Sequence, residues 1–204
     1  MTDKETGIPA SNQEVSGSPL PVDWIEKFKR EYDLSKIPEA ENRGEFEYFL
    51  ERRAGVREFV DLLPEEKWDK GINKGDPPHT DIIHIILNLQ KRIIALREGH
   101  LDNWKPDADE FSKLMVKPKS ALLELLDATA ISLYVFLSSN TVLTNRLRII
   151  NLPKNKTKTV AQVLRDATDH ELLHNGINIG HGDNLEVPRP QAISKKWGGG
   201  KSQR

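Results

Sequence analysis

Four stretches of this chain repeat apolar residues at steps of three and four, and no pair of stretches shows the alternating pattern of half-buried strands. Such spacing places the apolar side chains on one face of a helix. The stretches cover residues 44–63, 80–96, 118–139 and 157–174. The second is rich in β-branched residues, but its length favours a helix over a strand. Four long amphipathic helices with long connections predict an all-α four-helix bundle.

Residues that start or stop helices mark the ends of the last two stretches. Pro118 suits the first turn of a helix, where its missing N–H is not needed. Thr157 or Thr159 is expected to cap the last helix. Beyond His174 we expect that helix to erode, because glycines recur there. These glycines are Gly176, Gly180 and Gly182. A short helical turn is predicted at 108–114, within a polar connection.

The segments that flank the bundle differ from it in composition. Residues 1–21 are polar and rich in Ser, Pro and Gly, which predicts a disordered leader. An accessory helix and linker are expected over residues 22–43. The bundle domain then spans residues 44–198, and residues 199–204 form a flexible tail.

Composition and charge narrow the class of protein. The 204 residues include 30 basic and 31 acidic side chains, which gives a net charge of −1. The chain therefore lacks the excess of positive charge that is typical of a nucleic-acid binder. There is no cysteine, which leaves His, Asp and Glu as metal ligands. The N-terminus has no secretory signal, and no apolar run reaches the roughly 20 residues of a membrane helix. We therefore expect a soluble cytoplasmic protein without nucleic-acid or membrane partners.

The motif that points most directly to function is His170-Glu171-Leu172-Leu173-His174. Histidines four residues apart lie about 40° apart around a helix, so both imidazoles reach one cation. Two interpretations are open: a zinc-protease signature with Glu171 as general base, or two of three ligands inside a bundle. A third ligand is available in His84, which interrupts an apolar run. We expect this imidazole to be buried, and a buried imidazole needs a partner.

The protease interpretation lacks its usual context. His181 follows His170 by eleven positions, where a third zinc histidine would follow by ten. Glu186 is too near His174 to come from a second helix. Nothing upstream indicates a set of strands. Glu171 is otherwise expected at the rim of a metal site, as a base or an acceptor for a ligand, or as an exposed helix residue. Asp166, one turn before His170, is a candidate acceptor for its free N–H.

Taken together, three motifs resemble the DinB/YfiT-like superfamily. They are Leu63-Pro64-Glu65-Glu66-Lys67-Trp68, the His84 helix after a Gly/Pro loop, and the 170–176 segment followed by a tail that ends in Trp197-Gly198. The resemblance covers residues 43–198 and departs at Ile177, where the family pattern has glutamine.

This resemblance implies a fold, a metal site and an activity. The fold is a four-helix bundle with one crossover, often a homodimer. It carries a divalent metal on His84, His170 and His174, with zinc or nickel favoured over iron or manganese. Family members include thiol S-transferases that use low-molecular-weight thiols and a mycothiol-dependent isomerase. We therefore expect a metal-dependent transferase or hydrolase. The alternative is a non-catalytic metal-binding or stress-associated bundle.

Overall fold

The computed structural model describes residues 21–71, 77–100, 108–139 and 142–185. Within these ranges the chain forms six α-helices, two single 3-10 turns and one β-hairpin. The helices are α1 (Pro21–Glu31), α2 (Ala40–Leu62), α3 (Pro78–Glu98), α4 (Ala108–Met115), α5 (Lys119–Ser139) and α6 (Val160–Asn184), and the strands are β1 (Ile149–Leu152) and β2 (Lys156–Thr159). The predicted tail and all but the last residue of the predicted leader lie outside the described residues.

Helices α2, α3, α5 and α6 form the bundle. Helix α6 packs against α2 and α3, and α5 packs against the same two helices from the other side. Arg165 of α6 pairs with Glu45 of α2, and Glu171 of α6 pairs with Arg53 of α2. Because residue numbers rise together along both helices, α2 and α6 run parallel. This architecture confirms the predicted all-α four-helix bundle.

The core consists of two apolar clusters separated along α2 by a buried arginine. One cluster contains Phe46, Phe49 and Leu50, with partners on α3, α5 and α6. The other contains Val56, Phe59 and Val60, with partners on α3 and α5. Arg53 lies between them, and its side chain is fully buried. A polar layer therefore crosses the bundle between the two clusters.

The N-terminal helix covers one end of the first cluster. Phe28 of α1 is buried, and its ring lies 6.0 Å from Phe46 and 6.3 Å from Tyr134. The bundle helix α2 begins at Ala40 rather than at the predicted residue 44. The expectation that no apolar run reaches the length of a membrane helix was wrong, since α5 has that length and apolar composition. Its apolar residues contribute to both clusters, as expected for the core helix of a bundle.

The sequence pattern did not reveal the hairpin. Strands β1 and β2 pair antiparallel, with Leu152 opposite Lys156, and Lys154 and Asn155 adopt positive φ in the turn. Each strand has only four residues, which is too short for a clear alternating pattern. The hairpin is held by its surroundings: Ile150 is fully buried, and Asn151 N donates to a carbonyl at the end of α3.

Helix α6 begins as predicted and ends later than predicted. Thr159 Oγ1 accepts from Gln162 N while Gln162 Oε1 accepts from Thr159 N, a reciprocal cap. The expectation that the helix erodes after Gly176 was wrong, since α6 continues to Asn184. Each helical glycine costs about 1 kcal/mol relative to alanine. Tertiary contacts outweigh that cost: Asn175 Nδ2 donates to Arg52 O, Lys67 Nζ donates to Leu185 O, and Leu185 packs against the second apolar cluster.

Candidate metal centre

Three histidines from two helices meet in the groove between α3 and α6. His84 lies in the second turn of α3, and His170 and His174 lie one turn apart on α6. One ring nitrogen from each lies within 4.8 Å of the others. The Nε2 atoms of His84 and His170 are 3.1 Å apart. The structure therefore brings together the three residues that the sequence predicts as metal ligands.

The spacing of these nitrogens suits a shared cation. Imidazole nitrogens lie about 2.0–2.1 Å from zinc, so octahedral to tetrahedral angles place two of them about 2.8–3.4 Å apart. The His84–His170 separation of 3.1 Å falls in this range. Three neutral imidazoles also leave coordination positions open for water or substrate. The donor set and the His84–His170 separation thus fit a divalent transition metal.

Exposure differs among the three histidines. His84 is exposed, His170 is half-buried and His174 is buried. The expectation that His84 is buried was wrong. Its neighbours Ile83 and Ile85 are fully buried, but His84 occupies the one position of this apolar run that faces the open side of the groove. The cluster is therefore anchored in the core on the α6 side and accessible from solvent on the α3 side.

The electrostatic environment keeps the α6 histidines neutral. The pKa of His170 is lowered to about 3, chiefly by burial and then by the neighbouring His174 and His84. Burial also lowers the pKa of His174, although Asp81 opposes that effect. Near pH 7 both rings therefore offer lone pairs to a cation.

Asp81 is a carboxylate beside the cluster that the sequence interpretation missed. His174 Nδ1 is buried and has no hydrogen-bond partner among the described residues, and the nearest carboxylate oxygen is Asp81 Oδ1, at 3.7 Å. This arrangement leaves Nε2 of His174 for the cluster. Asp166, the predicted acceptor, instead accepts from Lys158 and lies 3.5 Å from Arg92 Nη1. The sequence could have revealed Asp81 through its spacing, because Asp81 is three residues before His84 and shares its helix face.

Glu171 points into the core rather than towards the rim of the site. Its side chain is 2% exposed, and its two oxygens accept from Arg53 at 2.5 and 3.1 Å. Arg53 also donates to Leu126 O and Thr129 Oγ1. Burial raises the pKa of Glu171, while the Arg53 guanidinium opposes that rise. Arg53 was overlooked, although it lies on the apolar stripe of α2, four residues after Phe49.

Two other described histidines lie away from the cluster. His79 is buried in the first turn of α3, where its Nδ1 lies 3.2 Å from Trp68 O and 3.1 Å from Asp69 Oδ1. His100 follows α3, beside Glu98. His79 therefore belongs to the helix rather than to the preceding loop.

Comparison with known proteins identifies the fold. The architecture is that of the DinB-like group of bundles, as the sequence motifs predicted. The chain is similar to a solved mycothiol-dependent maleylpyruvate isomerase, with a TM-score of 0.56 and 12% identity over 76% of this chain. A histidine-to-alanine mutant of that isomerase matches with a TM-score of 0.56 and 11% identity over 76% of this chain. In both cases the match spans 66% of the isomerase chain, just under two thirds.

Sequence comparison adds nothing to this structural likeness. No family model matches the chain, and no curated protein matches it. At 11–12% identity the structural likeness establishes the fold alone. Any activity must therefore be argued from the site.

Proposed function

We propose that this protein is a metal-dependent enzyme that uses a three-histidine site to activate a low-molecular-weight thiol for transfer to an electrophile. The observation that carries the proposal is the convergence of His84, His170 and His174 within 4.8 Å. It occurs in a fold shared with an isomerase that depends on mycothiol. The same donor set also supports a variant of this proposal, in which the metal activates water for hydrolysis instead of a thiol.

The chemistry follows from the donor set. A divalent cation held by neutral imidazoles lowers the pKa of a bound thiol or water and so supplies a nucleophile at neutral pH. The chain has no cysteine, so a thiol nucleophile must come from a second molecule. The exposed position of His84 leaves that side of the groove open to such a molecule.

The surrounding residues orient the ligands. Asp81 faces Nδ1 of His174, so it favours the tautomer that leaves Nε2 free. The Arg53–Glu171 pair fixes α6 against α2, one residue from His170. In place of the general-base role predicted from the sequence, we propose that Glu171 positions α6, because its oxygens are both engaged by Arg53.

The first test is metal content. We expect purified protein to hold one divalent ion per chain, with zinc or nickel favoured, and His84→Ala and His174→Ala to lose it. His100→Ala is the matched control, since this histidine lies outside the cluster. Full metal retention by both cluster variants, measured by elemental analysis on folded protein, would overturn the site.

The second test is activity. Metal-loaded protein is assayed for conjugation of a thiol such as cysteine or glutathione to a model electrophile, and for ester hydrolysis. Activity that disappears on chelation and returns with metal supports an enzyme. Stoichiometric metal without turnover of any thiol or ester would favour the non-catalytic bundle. The proposal includes a cytoplasmic homodimer, which sedimentation and fractionation would test.

A further inference from the structure

A small cavity lies along the same groove as the three histidines. It has a volume of about 110 Å³ and is bounded by α3, α6 and the hairpin. Its polar lining consists of Asn88, Lys91, Arg92, Lys158 and Asp166. Because a water molecule takes up about 30 Å³ in the liquid, the cavity has room for one small polar group.

The cavity begins one helical turn from the histidines. Asn88 and Arg92 follow His84 by four and eight residues on α3, which corresponds to roughly 6 and 12 Å along the helix axis. Asp166 precedes His170 by four residues on α6, which corresponds to roughly 6 Å. The cluster and the cavity are therefore separated by no more than the length of a small molecule.

The lining carries more positive than negative charge. Lys91, Arg92 and Lys158 contribute three cations, and Asp166 contributes the one carboxylate. Burial lowers the pKa of Lys91, and Arg92 lowers it further. Burial also lowers the pKa of Arg92, although Asp166 opposes that effect. An added anion in the cavity would favour the charged forms of both side chains.

The side chain of Arg92 is held in place by hydrogen bonds that do not use all of its N–H donors. Its Nε donates to Asn88 Oδ1 at 2.7 Å, and Nη1 lies 3.5 Å from Asp166 Oδ2. Nη2 donates to no residue in the described ranges. Lys158, on β2, donates to Asp166 as well. Asp166 thus orders two cations around the cavity, and Glu171 and Asp169 lie near enough to favour the charged form of Arg92 as well.

We infer that this cavity binds the carboxylate of a substrate whose reacting atom lies at the three-histidine cluster, with Arg92 and Lys158 as the carboxylate-binding residues. The inference rests on the proposed function, since it names the class of electrophile: a small organic acid with its carboxylate roughly 6–12 Å from the reacting atom. Arginine suits this role because its planar fork matches a carboxylate.

The test measures anion binding directly, without turnover. Zinc-loaded and metal-free protein are titrated with acetate, acetamide and inorganic phosphate at constant ionic strength. Binding is followed by NMR through the Arg92 Nε–H resonance and the backbone amides of α3. We expect acetate to bind both forms, acetamide to bind neither, and Arg92→Gln and Lys158→Gln each to weaken acetate binding about tenfold. Lys113→Gln, an exposed cation on α4, is the control with unchanged affinity.

Each alternative outcome has a distinct meaning. Acetate binding that is unchanged in both variants, or that occurs only with zinc present, overturns the subsite. Tighter binding of phosphate than of acetate overturns the choice of carboxylate. Acetate binding to a protein that takes up no divalent metal when metal is supplied would retain the anion site while refuting the proposed function. Lys158→Gln keeps the test decisive if Arg92→Gln does not fold, because Lys158 lies on the partly exposed hairpin.

Discussion

The buried Arg53–Glu171 pair makes a quantitative prediction about stability. In the variant Glu171→Leu, the Arg53 guanidinium loses two charge-assisted hydrogen bonds, each worth about 1.5–3 kcal/mol. Arg53 keeps its bonds to Leu126 O and Thr129 Oγ1, so it is not left without acceptors. We expect the free energy of unfolding to fall by about 3–5 kcal/mol, the usual cost of removing one partner of a buried pair.

The double variant Arg53→Met with Glu171→Leu should be far more stable than the single variants imply. Replacing a buried pair with apolar groups of similar volume is often neutral, because no charge remains to be desolvated. Thr129 Oγ1 retains its own bond to Leu126 O at 2.8 Å, so no buried hydroxyl is left unpaired. We expect the double variant to unfold within about 1 kcal/mol of the wild type.

Urea unfolding followed by circular dichroism measures these differences. The expected loss in Glu171→Leu corresponds to a drop in Tm of roughly 6–20 °C for a chain of this size. Glu45→Gln is the matched control, since Glu45 pairs with the exposed Arg165 between the same two helices, and we expect little effect. A cost below about 1 kcal/mol for Glu171→Leu, or a double variant as unstable as the sum of the singles, would refute the reasoning.

The same double variant separates the two roles of Glu171. A positioning role predicts that the stable double variant keeps its metal and at least part of its activity. A folded, metal-loaded double variant with no activity would instead support the general-base role that the sequence motif suggested.

Three further predictions concern the site and its helix. Asp81→Asn should weaken metal affinity tenfold or more, measured by chelator competition, while Asp166→Asn should leave it within a factor of three; equal effects would contradict the pairing of Asp81 with His174. In metal-free protein His170 titrates near pH 3, so below pH 6.5 the unfolded chain binds more protons than the folded one. The free energy of unfolding should therefore fall as the pH drops from about 6.5 to 5, and less steeply in His170→Gln; an equal slope in both would count against the burial of that ring. Gly176→Ala should stabilise the protein by about 0.5–1 kcal/mol in thermal unfolding, because an added Cβ meets nothing within 4 Å; a loss of stability would show that the helix is strained there.

Local periodicity explains what the sequence predicted well. Apolar spacing of three and four predicted the bundle helices, and Pro118 and Thr159 marked the starts of α5 and α6, each lying one residue before its helix. The His170–His174 pair followed from the same period, since residues four apart share a helix face in any α-helix. These features depend on residues within one or two turns of each other, so the chain encodes them locally.

Reliance on local helix propensity explains why the end of α6 was predicted too early. The glycines from Gly176 onwards lower helix propensity, but Asn175 donates a hydrogen bond to α2 and Leu185, just beyond the helix, packs against the second apolar cluster. These tertiary contacts outweigh the local preference. Propensity is a weak prior wherever tertiary contacts are available.

By itself, the sequence determined the helical class and the faces on which the candidate ligands lie. It did not determine which residue meets which across the bundle. Arg53 and Glu171 are 118 residues apart, and only the packing of α6 against α2 joins them. The same packing turned Glu171 into the core and placed Asp81 beside His174. A periodic pattern defines a face but carries no information about the partner of that face, which depends on how all four helices bury their apolar surfaces together.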